Sequence, residues 1–276
     1  MIKAFVIGHP IAHSRSPLIH NHWLQTLGIN GSYEAVDVSP EALPDFIDAL
    51  RAGAYSGGNV TVPHKQAAFA LCDVLEADAQ TIGAVNTLVM RDGKLQGSNT
   101  DMEGFLGNLD QKAPGWDRRG DTAIVLGAGG AARAVLVGLA RRGFKAIHIL
   151  NRTAANAQNL ARELPGPFTG AGLTAFAALA PQAALVVNTS TIGMHGTRFD
   201  ALDLALLPET ALVTDIVYTP LETPLLADAR ALGLDTVDGL GMLLHQAVPG
   251  FEAWFGIRPQ VTPALRALAV QSLGEQ

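Results

Sequence analysis

Short apolar runs bounded by turn residues alternate along this chain with longer stretches of helical periodicity, starting at the N-terminus. Residues 4–7 read as a strand, a helix follows from Pro17, residues 33–38 form a second strand, a helix starts at Pro40, and residues 59–62 form a third strand. Residues 86–91 and 94–97 flank the dipeptide Asp92-Gly93, which predicts a hairpin and hence a mixed sheet. A helix after Asp101 closes this half. Further strands are predicted at 122–126, 146–150, 184–188, 212–217 and 236–237, separated by helical or loop stretches, the pattern of a doubly wound sheet. After Asp238-Gly239 a last helical region runs through Met242, Gln246 and Trp254, and its polar Gln246 suggests a return to the first half.

The expected architecture is therefore α/β with two domains. Residues 1–104 and 239–276 form an N-terminal mixed-sheet substrate domain to which the C-terminal helices return. Residues 105–238 form a Rossmann-like, doubly wound dinucleotide-binding domain. The 276 residues, 48% of them hydrophobic, are enough for two buried cores.

Gly127-Ala128-Gly129-Gly130-Ala131-Ala132 follows the strand at 122–126 and opens an Ala-rich helical stretch. Gly127 would permit the turn, Gly129 would let backbone approach a pyrophosphate, and Ala132 would allow close helix–strand packing. The next strand ends in Asn151-Arg152-Thr153, where an NAD site would usually carry a carboxylate for the adenosine ribose. A guanidinium there can pair with the 2′-phosphate of NADP and stack on adenine, with Asn151 and Thr153 adding hydrogen bonds. The alternative is that Thr153 is an N-cap and Arg152 a solvated charge. Asn188-Thr189-Ser190 follows another apolar strand, at an edge where a dinucleotide would cross.

Charge narrows the partners. A net charge of −6 with no run of like charges argues against nucleic acid and against an anionic membrane surface, leaving a small molecule. Cys72 is the only cysteine, so neither an internal disulfide nor a thiolate zinc cluster is available. His9, His13, His20 and His22 match no familiar metal-ligand spacing, and no metal is expected. No apolar run approaches a membrane span, and the N-terminal apolar stretch is broken by Pro10, so the expected compartment is the cytoplasm. Monomer and homodimer are both compatible with the chain.

Ahead of the glycine-rich turn lie dense polar clusters. Ser14 and Ser16 flank Arg15 before Pro17; two hydroxyls and backbone N–H groups at a helix start make a carboxylate-binding corner, although Ser16 also suits an N-cap. Asn59 and Thr61 alternate along one strand face, the strand stops at Pro63, and Lys65 emerges just beyond. Asn86-Thr87 and Asn99-Thr100-Asp101 mark further turns, so amides, hydroxyls, one ammonium and one carboxylate could converge on a polyhydroxylated ligand. Thr100 with Glu103 also fits a capping box, and Asp101 an N-cap.

Together with Asp215-Ile216-Val217-Tyr218-Thr219-Pro220, Thr223-Pro224-Leu225-Leu226 and Asp238-Gly239-Leu240-Gly241-Met242-Leu243, these strings resemble the shikimate dehydrogenase family over nearly the whole chain. The resemblance implies reversible NADPH-dependent reduction of 3-dehydroshikimate to shikimate, a step toward chorismate and the aromatic amino acids. It implies Lys65 and Asp101 as the catalytic pair, and Ser14 and Ser16 as the holders of the substrate carboxylate. Asn59, Thr61, Asn86, Asp101 and Gln246 would bind ring hydroxyls, and Tyr218 would line the substrate pocket. Gly127, Ala128, Gly129, Gly130, Ala131, Asn151, Arg152, Thr153 and Thr189 would hold NADP, with Ile216 and Gly239 near the nicotinamide.

Two departures stand out. Many NADP-dependent members carry a second basic residue shortly after Asn-Arg-Thr, where this chain has Ala154-Ala155-Asn156, and Met102-Glu103 follow Asp101 where a glycine is frequent. A quinate/shikimate or aminoshikimate dehydrogenase, and a non-catalytic ligand sensor on the same fold, are the competing readings.

Overall fold

The computed structural model describes residues 1–200 and 202–274. In chain order the elements are β1 (Ile2–Gly8), α1 (Ser16–Thr26), β2 (Gly31–Asp37), α2 (Leu43–Arg51), β3 (Gly57–Val60), α3 (Lys65–Leu71), β4 (Val74–Leu75), α4 (Ala77–Ile82), β5 (Thr87–Arg91) and β6 (Lys94–Ser98). They continue with α5 (Asp101–Lys112), β7 (Thr122–Leu126), α6 (Gly130–Arg141), β8 (Ala146–Asn151), α7 (Ala154–Glu163), β9 (Phe168–Gly172), α8 (Phe176–Leu179), β10 (Leu185–Asn188) and β11 (Ile192–His195). The last are β12 (Leu212–Asp215), α9 (Pro224–Ala231), β13 (Asp235–Val237), α10 (Leu240–Phe255) and α11 (Pro263–Gly274).

The chain divides into two compact units, one of Met1–Thr100 with the residues from Gln246 onward, the other Asp101–His245. The divisions fall earlier than 104/105 and later than 238/239, and packing explains both differences. Helix α5 joins the second unit because the side chains of Met102 and Leu106 sit over Gly138 of α6. The first turns of α10 stay with it because the Asn108 amide donates to the Asp238 carbonyl at 2.7 Å and lies directly over Gly241, where a Cβ would collide with it.

The first unit carries a mixed sheet in the order β2-β1-β3-β5-β6-β4. Strands β1, β2 and β3 run parallel, and β5 pairs antiparallel with both β3 and β6. The hairpin forms because Asp92 and Gly93 adopt φ of 52° and 73°, the pair of positive values a two-residue turn of this hand requires. The later part of α10 closes on this sheet, Trp254 donating its indole N–H to the Leu88 carbonyl at 2.9 Å.

The second unit is a wholly parallel sheet in the order β13-β12-β10-β7-β8-β9. Its central strands are buried on both faces: Ala123, Val125, Leu185 and Val187 belong to one core, and Ile124, Leu126, Val186 and Val213 to the other. Such alternation explains why these strands read as unbroken apolar runs. The strand order reverses between β7 and β10, so the loops after Leu126 and after Asn188 diverge at a topological switch point.

Candidate functional site

In the nucleotide unit, Gly127 takes φ of 106°, and a Cβ there would come within 3.0 Å of Thr189 Oγ1 and the Ser190 nitrogen. Glycine is thus required both by conformation and by the neighbouring switch-point loop. Gly129 caps α6 in an extended conformation, and a Cβ at Gly129 or Gly130 would meet only open space. The first-turn N–H groups of this twelve-residue helix start from that open ground, the arrangement that favours a phosphate. Ala131 is half-buried one residue on.

A cavity of about 270 Å³ adjoins the turn, lined by Gly127, Asn151, Arg152, Thr153, Asn156 and Phe199 among others. Among the described residues Arg152 is the only charged group on its wall, and none of them brings a carboxylate. The Asn151 amide is fixed by donating to the Thr153 carbonyl at 3.0 Å. Thr153 occupies the N-cap position of α7, but its side chain makes no capping bond. These residues fit the phosphorylated adenosine end of NADP: one planar cation, hydroxyl and amide groups, and nothing to repel a phosphate.

Beside the glycine-rich turn, Thr189 is held by donating from both nitrogen and hydroxyl to the Leu126 carbonyl, at 2.8 and 2.9 Å. Gly239 lies hard against Ile216; a Cβ on it would collide with the Ile216 carbonyl. The two expected nicotinamide neighbours are therefore brought together by backbone contact. Tyr218, half-buried, stands two residues farther along.

Asp215 organises this region and was not singled out as a role in the sequence. Fully buried, its carboxylate accepts from Asn188 Nδ2 at 2.9 Å, from the Val217 nitrogen at 2.9 Å and from Thr223 Oγ1 at 2.7 Å. Burial pushes its pKa above the usual carboxylate value, and the three donors pull the other way. Asn188 passes the constraint on, its oxygen accepting from the Ser190 nitrogen and hydroxyl. A lone acid ending the apolar strand Leu-Val-Thr-Asp was the available signal.

In the first unit, α1 starts at Ser16 itself, so the alternative of Ser16 as N-cap does not hold: Arg15, at φ −90° and ψ −5°, takes that place. The residue is already in the helical region, and its carbonyl accepts the first helical bond, from Ile19. Ser14 has the structural part instead, its hydroxyl accepting from the Ser16 nitrogen at 3.4 Å. Strand β3 stops at Val60 rather than 62, yet Thr61 still donates from its backbone to the Ile7 carbonyl, and Val62 is 69% exposed.

Lys65 opens α3, half-buried. The preceding His64 is buried, with its ring nitrogen 2.7 Å from the Val38 carbonyl, and the Lys65 carbonyl accepts from the Val85 nitrogen at 3.0 Å. These two ties fix where the lysine leaves the backbone and set it beside the turn that carries Asn86. Asn86, 2% exposed, accepts at its amide oxygen from the Thr100 nitrogen at 2.9 Å, which pins the turn immediately before Asp101 at the start of α5. The Thr100 hydroxyl donates to the Gln246 carbonyl at 2.8 Å. Asn59, 5% exposed, donates to the Asn86 carbonyl at 3.2 Å and accepts from the Tyr33 hydroxyl at 2.6 Å. One continuous network thus joins Asn59, Asn86, Thr100 and the Gln246 backbone.

His20 lies under this network, wholly buried and stacked on Tyr33 at 4.1 Å between ring centres. Neither ring nitrogen reaches hydrogen-bond geometry. Burial pushes its pKa down to about 3, with the nearby Asn59 amide pulling slightly upward. Burial likewise holds the Tyr33 phenol well above its ordinary value, opposed by Ser16 and Asn59 beside it. Among the described residues no cluster of His, Cys, Asp or Glu could hold a metal ion, and no helix is long and apolar enough to cross a membrane.

Three family profiles match the chain: the shikimate dehydrogenase substrate binding domain over residues 6–88, shikimate/quinate 5-dehydrogenase over 109–202, and the shikimate 5′-dehydrogenase C-terminal domain over 239–269. The chain is 59% identical to a shikimate dehydrogenase (NADP(+)) of Mesorhizobium japonicum, covering 98% of this chain and 96% of that protein. It is 58% identical to the enzyme of the same name from Methylobacterium radiotolerans, covering 98% and 97%. Among solved structures, shikimate 5-dehydrogenase of Thermus thermophilus in complex with NADP(H) and shikimate matches with a TM-score of 0.86 and 39% identity, covering 99% of this chain and all of that one. A quinate dehydrogenase of Corynebacterium glutamicum in complex with NAD matches with a TM-score of 0.88 and 31% identity, covering 98% and 99%.

Proposed function

The chain belongs to the shikimate dehydrogenase family, and on that premise we propose that it is an NADP-dependent shikimate dehydrogenase, an oxidoreductase that reversibly reduces 3-dehydroshikimate to shikimate in the supply of chorismate and aromatic amino acids. The observation that carries the cofactor assignment is the cavity beside the glycine-rich turn, with Arg152 on its wall and no carboxylate among the described residues. A cytoplasmic location goes with this reading.

Ser14 and Ser16 take the substrate carboxylate, and Asn59, Thr61, Asn86, Asp101 and Gln246 the ring hydroxyls. Tyr218 walls the pocket. The turn from Gly127 to Ala131 takes the pyrophosphate at the start of α6, Asn151, Arg152 and Thr153 take the phosphorylated adenosine, and Thr189, Ile216 and Gly239 flank the nicotinamide.

When bound, the nicotinamide cofactor supplies or accepts the hydride at the ring carbon that is carbonyl in one direction and carbinol in the other. In reduction negative charge grows on the ring oxygen, and Lys65 as an ammonium stabilises it and donates the proton that completes the hydroxyl. In oxidation a neutral Lys65 removes that proton. Asp101 orients the substrate through a ring hydroxyl, so that the reacting carbon is presented in one pose.

The test is the nicotinamide absorbance change with purified protein, crossing shikimate and quinate against NADP and NAD. Strong turnover of shikimate with NADP is the expected result. Comparable rates with quinate or NAD would move the chain to the broader branch of the family, and binding of shikimate without turnover would make it a sensor.

A further inference from the structure

Asp215 is a fully buried carboxylate with no part in the proposed proton transfer, and its hydrogen bonds fix its ionisation state. The Val217 nitrogen can only donate. So can Asn188 Nδ2, whose orientation is set independently: the same nitrogen donates to the Ile192 carbonyl at 2.7 Å, and the amide oxygen accepts from the Ser190 nitrogen at 3.0 Å. Both donors reach Asp215 Oδ1. At Oδ2 stands the hydroxyl of Thr223, itself fully buried, at 2.7 Å. As an anion Asp215 accepts all three bonds, while the Thr223 oxygen still receives the Leu226 nitrogen at the N-cap of α9. As a neutral acid it would have to give its proton to Thr223 and strand the hydroxyl proton of that buried side chain. The bonding pattern therefore selects the carboxylate, against the burial that pushes its pKa upward.

The charge is not neutralised. Its three partners are uncharged groups, and among the described residues no cation acts on it. An unpaired charge away from water keeps its field, because little solvent screens it. Its place gives that field a target. Asp215 immediately precedes Ile216, whose carbonyl a Cβ on Gly239 would strike, and its partner Asn188 immediately precedes Thr189. Ile216, Gly239 and Thr189 are the residues assigned to the nicotinamide. The buried anion thus sits one residue behind them, at the ends of the adjacent strands β10 and β12.

We propose that Asp215 acts through space as a fixed counter-charge to the nicotinamide, favouring the oxidised, cationic ring over the reduced, neutral one. The inference rests on the proposed NADP-dependent activity and deepens it. A preorganised anion stabilises the positive charge that hydride donation leaves behind, and it does so without having to move. A purely structural Asp215 would instead hold the loops after β10 and β12 for both redox forms alike.

The experiment is calorimetric titration of the full chain with oxidised NADP and, separately, with NADPH, in the absence of substrate so that no turnover enters. The variants are Asp215→Asn and Asp215→Ser, two neutral replacements of different shape. Gly239→Ala disturbs the Ile216 backbone and keeps the charge, and thermal unfolding checks that each variant is folded. The ratio of the Kd for oxidised NADP to the Kd for NADPH should rise about five-fold in both neutral variants, the scale of one partly screened charge. In Gly239→Ala both Kd values should rise together, leaving the ratio within about two-fold of the wild type. Neutral variants whose two Kd values are unchanged or rise by the same factor would overturn the proposal and leave the dehydrogenase reading intact, and so would a Gly239→Ala ratio shifted as far as theirs. A wild-type protein that binds neither form would overturn both.

Discussion

The buried His20 makes a quantitative prediction about acid stability. Its folded pKa near 3 lies below the ordinary 6.5 because the ring is stripped of water, so the native protein keeps it neutral while an unfolded chain protonates it below pH 6.5. Folding therefore excludes a proton: the contribution is fully present above pH 6.5 and is lost as pH falls toward 3. Linkage gives a loss approaching about 1.4 kcal/mol per pH unit in that window, or about 2 kcal/mol between pH 7 and pH 5. His20→Phe keeps a planar ring against Tyr33 and removes the titration. Two compact units need not unfold together, so the reporter should be confined to one. In a Trp116→Phe background, Trp23 and Trp254 both report on the first unit, and both rings lie within 6 Å of His20. Urea unfolding at pH 7, 6 and 5 should then show the protein with His20 losing about 2 kcal/mol more than the variant across the range. The other histidines are common to both proteins and cancel. Parallel pH profiles would refute the assignment, whatever the absolute cost of fitting phenylalanine into the site.

Other perturbations separate the parts of the proposed site. Lys65→Ala should lower kcat by about 10²- to 10⁴-fold while the KM for shikimate moves far less; near-normal turnover would remove the lysine from the chemistry. Arg152→Ala, losing a charge-assisted contact, should raise the KM for NADP by about 10- to 100-fold and leave that for NAD within about two-fold, and equal changes would sink the 2′-phosphate assignment. Gly239→Ala drives a Cβ into the Ile216 carbonyl and should cost about 1–3 kcal/mol in thermal unfolding with weakened NADP binding; a variant as stable as the parent would mean that the loop yields freely.

Sequence patterning disclosed most of the architecture because burial dictates it. The doubly buried strands β7, β8, β10 and β12 are apolar nearly throughout and stand out for that reason. Strand β9, Phe-Thr-Gly-Ala-Gly at the sheet edge, lacks such a run and escaped notice, as did the two-residue β4. Strand β3 was read two residues late, at 59–62 where it spans Gly57–Val60, because Thr61 and Val62 carry strand-like side chains while Gly57 and Gly58 do not. In the site, the glycine turn, Arg152, Lys65 and the Asn86 turn were legible because backbone geometry or charge at an element end demands those residue types. Tyr33 and Asp215 were not. Their importance depends on which strands become neighbours: Tyr33 acts across β1 on Asn59, and Asp215 gathers Asn188, Val217 and Thr223. Strand order is a property of the assembled sheet, and no local pattern displays it.

The cavity with one guanidinium on its wall has a genetic corollary. Where two basic residues share a phosphate, drift at either codon leaves a partial clamp, and a lineage must change both before its cofactor choice reverses. Here the neighbouring wall position is Asn156, so under the proposed assignment the preference for NADP would be carried by the Arg152 codon. A change at that one codon would then be the shortest route to a change in this chain's nicotinamide usage, whereas the proposed substrate contacts are distributed over several positions.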